Sequence, residues 1–147
     1  MEIYFKNKER KDRLLEVLES WRGTPYRHHT GVKGLGVDCA YFVGCVLKEV
    51  GVIEQFDVPE YPIDFHMHIP KEIYVQHFRN HPLTIDVGFK NPIDGDILIY
   101  KYGKIASHSA IYFDNYTWQP RARVGVEKFH ISQGRRRLKY GFRLVEL

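Results

Sequence analysis

A chain of 147 residues with 22 Lys and Arg against 18 Asp and Glu, formal net charge +4, is long enough for one compact domain with a core and too short for two. At 44% hydrophobic and 27% charged, with two tryptophans, ten tyrosines and nine phenylalanines, its composition excludes a disordered chain. No apolar run approaches the roughly 18 to 20 residues of a membrane helix, and MEIYFKNKERKDR lacks a secretory signal's apolar stretch and cleavage site, so the expectation is a single domain over 1–147, cytoplasmic as synthesised, without a membrane partner.

In NKERKDRLLEVLESWRG, residues Leu14, Leu15, Val17, Leu18 and Trp21 recur at helical spacing and Gly23 is placed to stop the helix. GTPYRHHTGVKGLG then holds four glycines and a proline, which reads as a long shaped loop. From Asp38, DCAYFVGCVLKEVGV predicts a buried helix capped by Asp38 and ended by Gly51, with Gly44 as a close contact between helix and sheet. Cys39 lies in its first turn. The only other cysteine, Cys45, is six positions on, which gives neither a disulfide framework nor a metal-type spacing, and no cofactor is expected.

The stretch 53–93 is proline-bearing and has no clean period before a short possible helix over 70–79, so it reads as an elaborated connection. His66 and His68 would share one face of an extended segment, but with no third ligand evident they read as surface histidines and the metal expectation is none. After NPIDGD, the runs ILIYKY, SHSAIYFD, NYTWQP, RVGVEKFHI and LKYGFRLVEL are short, β-rich and separated by turn residues. Helices first and antiparallel strands afterwards predict an α+β fold. The basic stretch GRRRLKYGFR alternates with apolar residues, so its charges are expected on the solvent face of a terminal edge strand, with no nucleic-acid partner. A mildly basic surface also suits an anionic substrate or polymer.

A cysteine at a helix N-terminus is where backbone N–H groups and the helix dipole favour a thiolate. A nucleophilic cysteine also needs a base within reach and a third group to orient that base. Among eight histidines, His108 stands out, because it opens an alternating strand of the central sheet and is flanked by the small residues Ala106, Ser107, Ser109 and Ala110. Cys45, further along the helix interior, reads as a packing residue.

These residues resemble the NlpC/P60 cysteine peptidases. The resemblance rests on the turn GTPY, the glycine-bearing loop into Asp38-Cys39 and its helix, the turn and strand IDGDILIY, the histidine strand SHSAIYFDN, and the next strand NYTWQP with Gln119 eleven positions past His108. It implies a papain-like core, helices packed on a five- to six-stranded antiparallel sheet. Cys39 takes the place of the nucleophile, His108 of the general base and acid, and Gln119 of the orienting group. Tyr26 and Asp38 take the oxyanion and substrate-contact positions. Three places depart from the pattern: Arg27, His28 and His29 stand where the family often has a tryptophan-glycine pair, Ala40 where it has serine, and Gln119 where histidine is commoner. Either His28 or His29 thereby becomes a competing base.

The resemblance implies a cysteine endopeptidase cutting an amide in peptidoglycan stem peptides through a thioester, at the γ-D-glutamyl to diamino-acid bond. The connection with PEYPIDF looks most like the small phage-tail and gene-transfer-particle members, which adds phage-tail proteins as partners and a phage-like particle as location. Two alternatives stay open at this level: a Cys-His acyltransferase or amidase acting on lipid or small-molecule amides, and a non-catalytic tail module that binds the wall.

Overall fold

The computed structural model describes residues 1–57, 73–103 and 105–146. The predicted stretch PEYPIDF, together with His66 and His68, lies outside the described residues.

Helix α1 (Lys8–Trp21) starts where the Asn7 side chain accepts from the Arg10 N–H at 3.1 Å. It buries Leu14, Val17, Leu18 and Trp21, whereas Leu15, expected in the same stripe, is 37% exposed. Helix α2 (Cys39–Val50) is capped by Asp38, whose carboxylate accepts from the Tyr41 N–H, and ends at Gly51, which takes φ +91°. Both caps stand where the sequence placed them. Gly44 departs from expectation: the group that leaves no room for a Cβ is the ring of Phe56, from the segment after the helix, and not the sheet. Helix α3 (Ile73–Arg79) is the described part of the expected short helix, and Val75 and Phe78 sit in the core beneath it.

The sheet is antiparallel, consistent with the expected α+β class. Its continuous path runs β1 (Glu2–Ile3), β9 (Leu138–Glu146), β5 (Ile97–Tyr102), β6 (Ile105–Phe113), β7 (Tyr116–Arg121) and β8 (Gly125–His130). A seventh short strand, β4 (Thr84–Asp86), comes from the connecting stretch and pairs with β9 beside β1, and a separate two-stranded hairpin, β2 (Gly31–Val32) with β3 (Gly36–Val37), forms within the glycine-rich loop before α2. The C-terminal strand is therefore not an edge. It lies between β5 and the short pair β1 and β4, and the arginines Arg135–Arg137 precede it in a 3-10 turn. Local alternation pointed to an edge because one strand's pattern carries no information about which strands flank it.

Strand alternation divides the interior. Ile97, Ile99, Ile111 and Trp118 face the helices and join Leu14, Leu18, Phe42 and Val46 in the main core. Leu98, Tyr100, Ala110 and Leu138 form a smaller cluster on the other face, with Tyr102, Tyr112 and Ile131 against it. By the same period of two, His108 shares this second face with Ala110, and Gln119 shares it with Thr117.

Two fixings hold the loops near the helix start. Asp96, 1% exposed, pairs with Arg143 through bonds of 3.0 and 2.9 Å and accepts from the Ile93 N–H, anchoring the IDGD turn at the head of β5. Gly23 and Thr24 hydrogen-bond to Val126 on β8, and a Cβ on Gly125 would lie 2.6 Å from the Thr24 carbonyl oxygen while φ there is +84°. Only glycine lets the GTPY turn seat on that edge. Gly125→Ala is expected to lower unfolding free energy by about 2 kcal/mol, since a left-handed L-residue alone costs about 1 to 2 kcal/mol; urea denaturation of the two proteins measures it.

Candidate active site

His108 and Gln119 come together where β6 and β7 part. The two strands pair only from Ile111 to Phe113 against Tyr116 to Trp118. Past that point their side chains bridge the gap instead: a ring nitrogen of His108, Nε2, lies 2.6 Å from Gln119 Oε1. On its other side, β6 pairs with β5 through a bulge, with Tyr100 opposite His108 and Lys101 opposite Ala106, so Ser107 is the extra residue. Bulges re-aim side chains in this way, and the imidazole aimed here is the one the sequence singled out.

Gln119 is 1% exposed and bonded at both ends. Its Oε1 also accepts from Arg121 Nε–H at 3.2 Å, and its Nε2 donates to Thr117 Oγ1 at 2.8 Å, while that hydroxyl donates to the Phe129 carbonyl at 3.3 Å. Because a guanidinium can only donate, the shared atom is the amide oxygen, and His108 Nε2 must carry the proton. The neutral ring then holds its lone pair on Nδ1. Among the described residues, no hydrogen bond is made at Nδ1.

Cys39 approaches from the helix side. Its thiol donates to the Ser107 carbonyl at 3.7 Å, and the Ser109 hydroxyl donates to the Cys39 carbonyl at 3.1 Å. The sulfur lies against the strand backbone beside His108, and among the described residues no hydrogen bond joins it to the His108 ring, which strand alternation sets on the second face. Ser109 in turn shares a 2.7 Å hydrogen bond with the hydroxyl of Tyr74 on α3. Cys39 keeps part of its surface open to solvent, yet the space around the sulfur is densely filled. This crowding pushes its pKa up to about 11; the Ser109 N–H and hydroxyl oppose the shift, and the Asp38 carboxylate adds to it.

The sequence reading expected the helix N-terminus to ionise this sulfur, and in this structure burial outweighs it. The cap contributes to the outcome. Asp38 is 1% exposed, and its two oxygens accept from the Tyr41 N–H at 3.0 Å and the His29 N–H at 2.6 Å. It thus engages the positive end of the helix with a negative charge beside the sulfur. Asp38, to which the resemblance gives a substrate-contact position, is in this structure the cap of α2.

The imidazole shifts in the complementary direction. Burial lowers His108 to about 4, the Gln119 bond resists this, and the Arg121 guanidinium adds to it. The resting pair is therefore a neutral thiol and a neutral ring. Tyr26 belongs to the same cluster: Pro25 and Arg27 bond the backbone of Val37 at 3.0 and 3.1 Å, which fixes the tyrosine between them near Cys39. Burial, then the neighbouring Cys39 and Asp38, push its hydroxyl up to about 12, so it is a neutral donor.

Two solved structures share this architecture. A lipoprotein-like NLP/P60 family protein of Staphylococcus aureus superposes with TM-score 0.65 at 16% identity, over 96% of this chain and 43% of that one. The NlpC/p60 domain of the peptidoglycan hydrolase SagA superposes with TM-score 0.57 at 16% identity, over 93% of this chain and 98% of that domain. The fold is NlpC/P60-like. No protein-family model matches the chain, and no curated protein matches its sequence.

Within this NlpC/P60-like fold, His28 and His29, the competing bases, lie in the loop before α2 with their rings 6.1 Å apart between centroids. The ring of His29 packs edge-on against Tyr41 at 5.2 Å between centroids, and its backbone is left-handed at φ 51°. Cys45 donates to the Gly31 carbonyl at 3.8 Å and borders the main core, consistent with the packing role expected of it. Among the described residues, no group of three or more His, Cys, Asp and Glu could hold a metal ion. Sequence reasoning missed Thr117 and Arg121, although both lie two positions from Gln119 on one strand face, a period-two signal that was there to read. Tyr74 had no such signal, since its place beside Ser109 depends on how α3 packs.

Two expectations follow from the neutral pair. Iodoacetamide alkylation of Cys39, followed by mass spectrometry, should climb about tenfold per pH unit between pH 8 and 10 with no shoulder near neutrality, because thiolate is the reacting form. The folded imidazole stays neutral down to about pH 4, whereas the unfolded one binds a proton below its ordinary 6.5, so acid favours unfolding through this group between 6.5 and 4. Urea melts across that window should show stability falling as pH drops, and falling less in His108→Gln.

Proposed function

We propose that this protein is a cysteine endopeptidase that hydrolyses an amide bond in peptidoglycan stem peptides through a thioester. The observation that carries the reading is the 2.6 Å bond from His108 to a Gln119 whose amide is fixed at both ends, beside a thiol lying on the backbone next to that histidine. The NlpC/P60-like architecture supports the substrate class, since the SagA domain that shares it comes from a peptidoglycan hydrolase.

In this reading His108 Nδ1 takes the thiol proton as the Cys39 sulfur attacks the amide carbon, so the weakly acidic thiol ionises only as the bond to carbon forms. The carbonyl oxygen becomes an oxyanion, met by the Cys39 N–H at the helix start and by the neutral Tyr26 hydroxyl. The imidazolium returns its proton to the amine nitrogen, the C–N bond breaks and a thioester remains. Water, losing a proton to the same Nδ1, attacks the thioester carbon, and the acid leaves as the thiol regains its proton. Gln119 holds Nε2–H throughout, but without a negative charge it stabilises the imidazolium less than a carboxylate would. The γ-D-glutamyl to diamino-acid linkage is the bond assigned, and a phage-tail setting remains part of the proposal.

Purified protein incubated with bacterial sacculi should release stem fragments detectable by chromatography and mass spectrometry. Cys39→Ala should release none, and Gln119→Ala should lower kcat by about 10 to 100-fold, no more than the low end of the roughly 10² to 10⁴-fold a positioned acid–base group contributes, because the histidine itself remains. Equal release by the parent and Cys39→Ala would remove the nucleophile assignment.

A further inference from the structure

Two arginines flank the candidate histidine on the second face of the sheet. Arg121, on β7, spends Nε on the Gln119 oxygen, and its guanidinium carbon lies 3.8 Å from the centroid of the Phe129 ring. Arg137, in the turn before β9, lies over the Tyr102 ring at 4.7 Å, and that ring packs edge-on against His108 at 5.4 Å between centroids. The imidazole therefore has a cation on the Gln119 side and another on the Tyr102 side.

Neither arginine has a carboxylate partner among the described residues, where the other buried or bridging arginines do. Arg143 pairs with Asp96, Arg10 with Glu146, and Arg79 with Asp86. The acidic residue nearest in register to this site, Glu127 opposite Gln119, is bound at 2.6 Å by Arg22. Two guanidiniums held over aromatic rings and lacking anions of their own are preorganised donors, since the ring contact restrains each side chain while its terminal NH2 groups can meet an acceptor.

We propose that Arg121 and Arg137 form a subsite for a free carboxylate of the substrate next to the scissile amide, so that the preferred substrate is an acidic peptide. The inference deepens the endopeptidase reading and rests on it for the position of the scissile bond. It also gives a role to part of the GRRRLKYGFR stretch, which the fold does not need for packing: Arg135, Arg136 and Arg137 are all exposed.

Binding separates the subsite from turnover. Titrating Cys39→Ala with a γ-glutamyl stem-type peptide bearing its free carboxylate, and with the same peptide as carboxamide, should show at least tenfold tighter binding of the acid. The preference should shrink as salt rises from 50 to 300 mM, as screening of a partly exposed charge pair requires. Adding Arg137→Gln, a change at an exposed side chain, should reduce the preference to threefold or less. In the active protein the same change should raise KM for the acid and leave kcat, and the carboxamide, unchanged. Equal binding of acid and amide, no binding of either, or a preference that survives Arg137→Gln would overturn the subsite. Intact sacculi with the acid preference retained would instead count against the endopeptidase reading and leave the subsite standing.

Discussion

The side-chain bridge across the gap between β6 and β7 is the constraint on which the site depends. Once the backbones stop pairing at Ile111 and Trp118, each strand stays laddered only to its outer neighbour, and no backbone bond fixes the distance between β6 and β7 beyond. The contact of His108 with Gln119 closes that gap, and it works because the amide cannot turn. Arg121 holds the oxygen end and Thr117, tied to the Phe129 carbonyl, holds the nitrogen end. A rotation of the amide by half a turn would set N–H groups against both the guanidinium and the ring. The tautomer of His108 is therefore fixed by an arginine that does not touch it.

Electrostatics at the helix start run against the simple picture of a helix dipole activating a cysteine. The dipole is present, but Asp38 caps the same turn with its own charge, and Tyr26, Tyr74 and the strand backbone crowd the sulfur. Desolvation disfavours a charged sulfur and a charged ring alike, so both groups rest neutral. Chemistry in such a site depends on moving a proton between two neutral partners as bonds form. A neutral imidazole is the form that can accept one.

The arrangement also separates two jobs between the faces of the sheet. Helices α1 and α2 cover one face with the main apolar core, which fixes the position of the Cys39 backbone. The second face carries His108, Gln119, Arg121 and the aromatic rings of Tyr100 and Tyr102. Strength is supplied by one side, while polarity is concentrated on the other.

The sequence by itself determined whatever depends on near neighbours. Both caps of α2, the five main strands and the α+β order follow from spacing, turn residues and cap chemistry acting within a few positions. The pairing of His108 with Gln119, eleven residues apart on a hairpin, was legible through the resemblance to a known family. Tertiary structure alone decided that β9 is an inner strand, that β4 joins the sheet from the connecting stretch, and that Phe56 fills the space over Gly44. It also decided the protonation of the thiol, because burial is a property of everything packed around an atom and leaves no local mark in the chain. Tyr74 reaches Ser109 across 35 positions for the same reason: contacts between distant segments are set by how whole faces fit, which no short window of residues encodes.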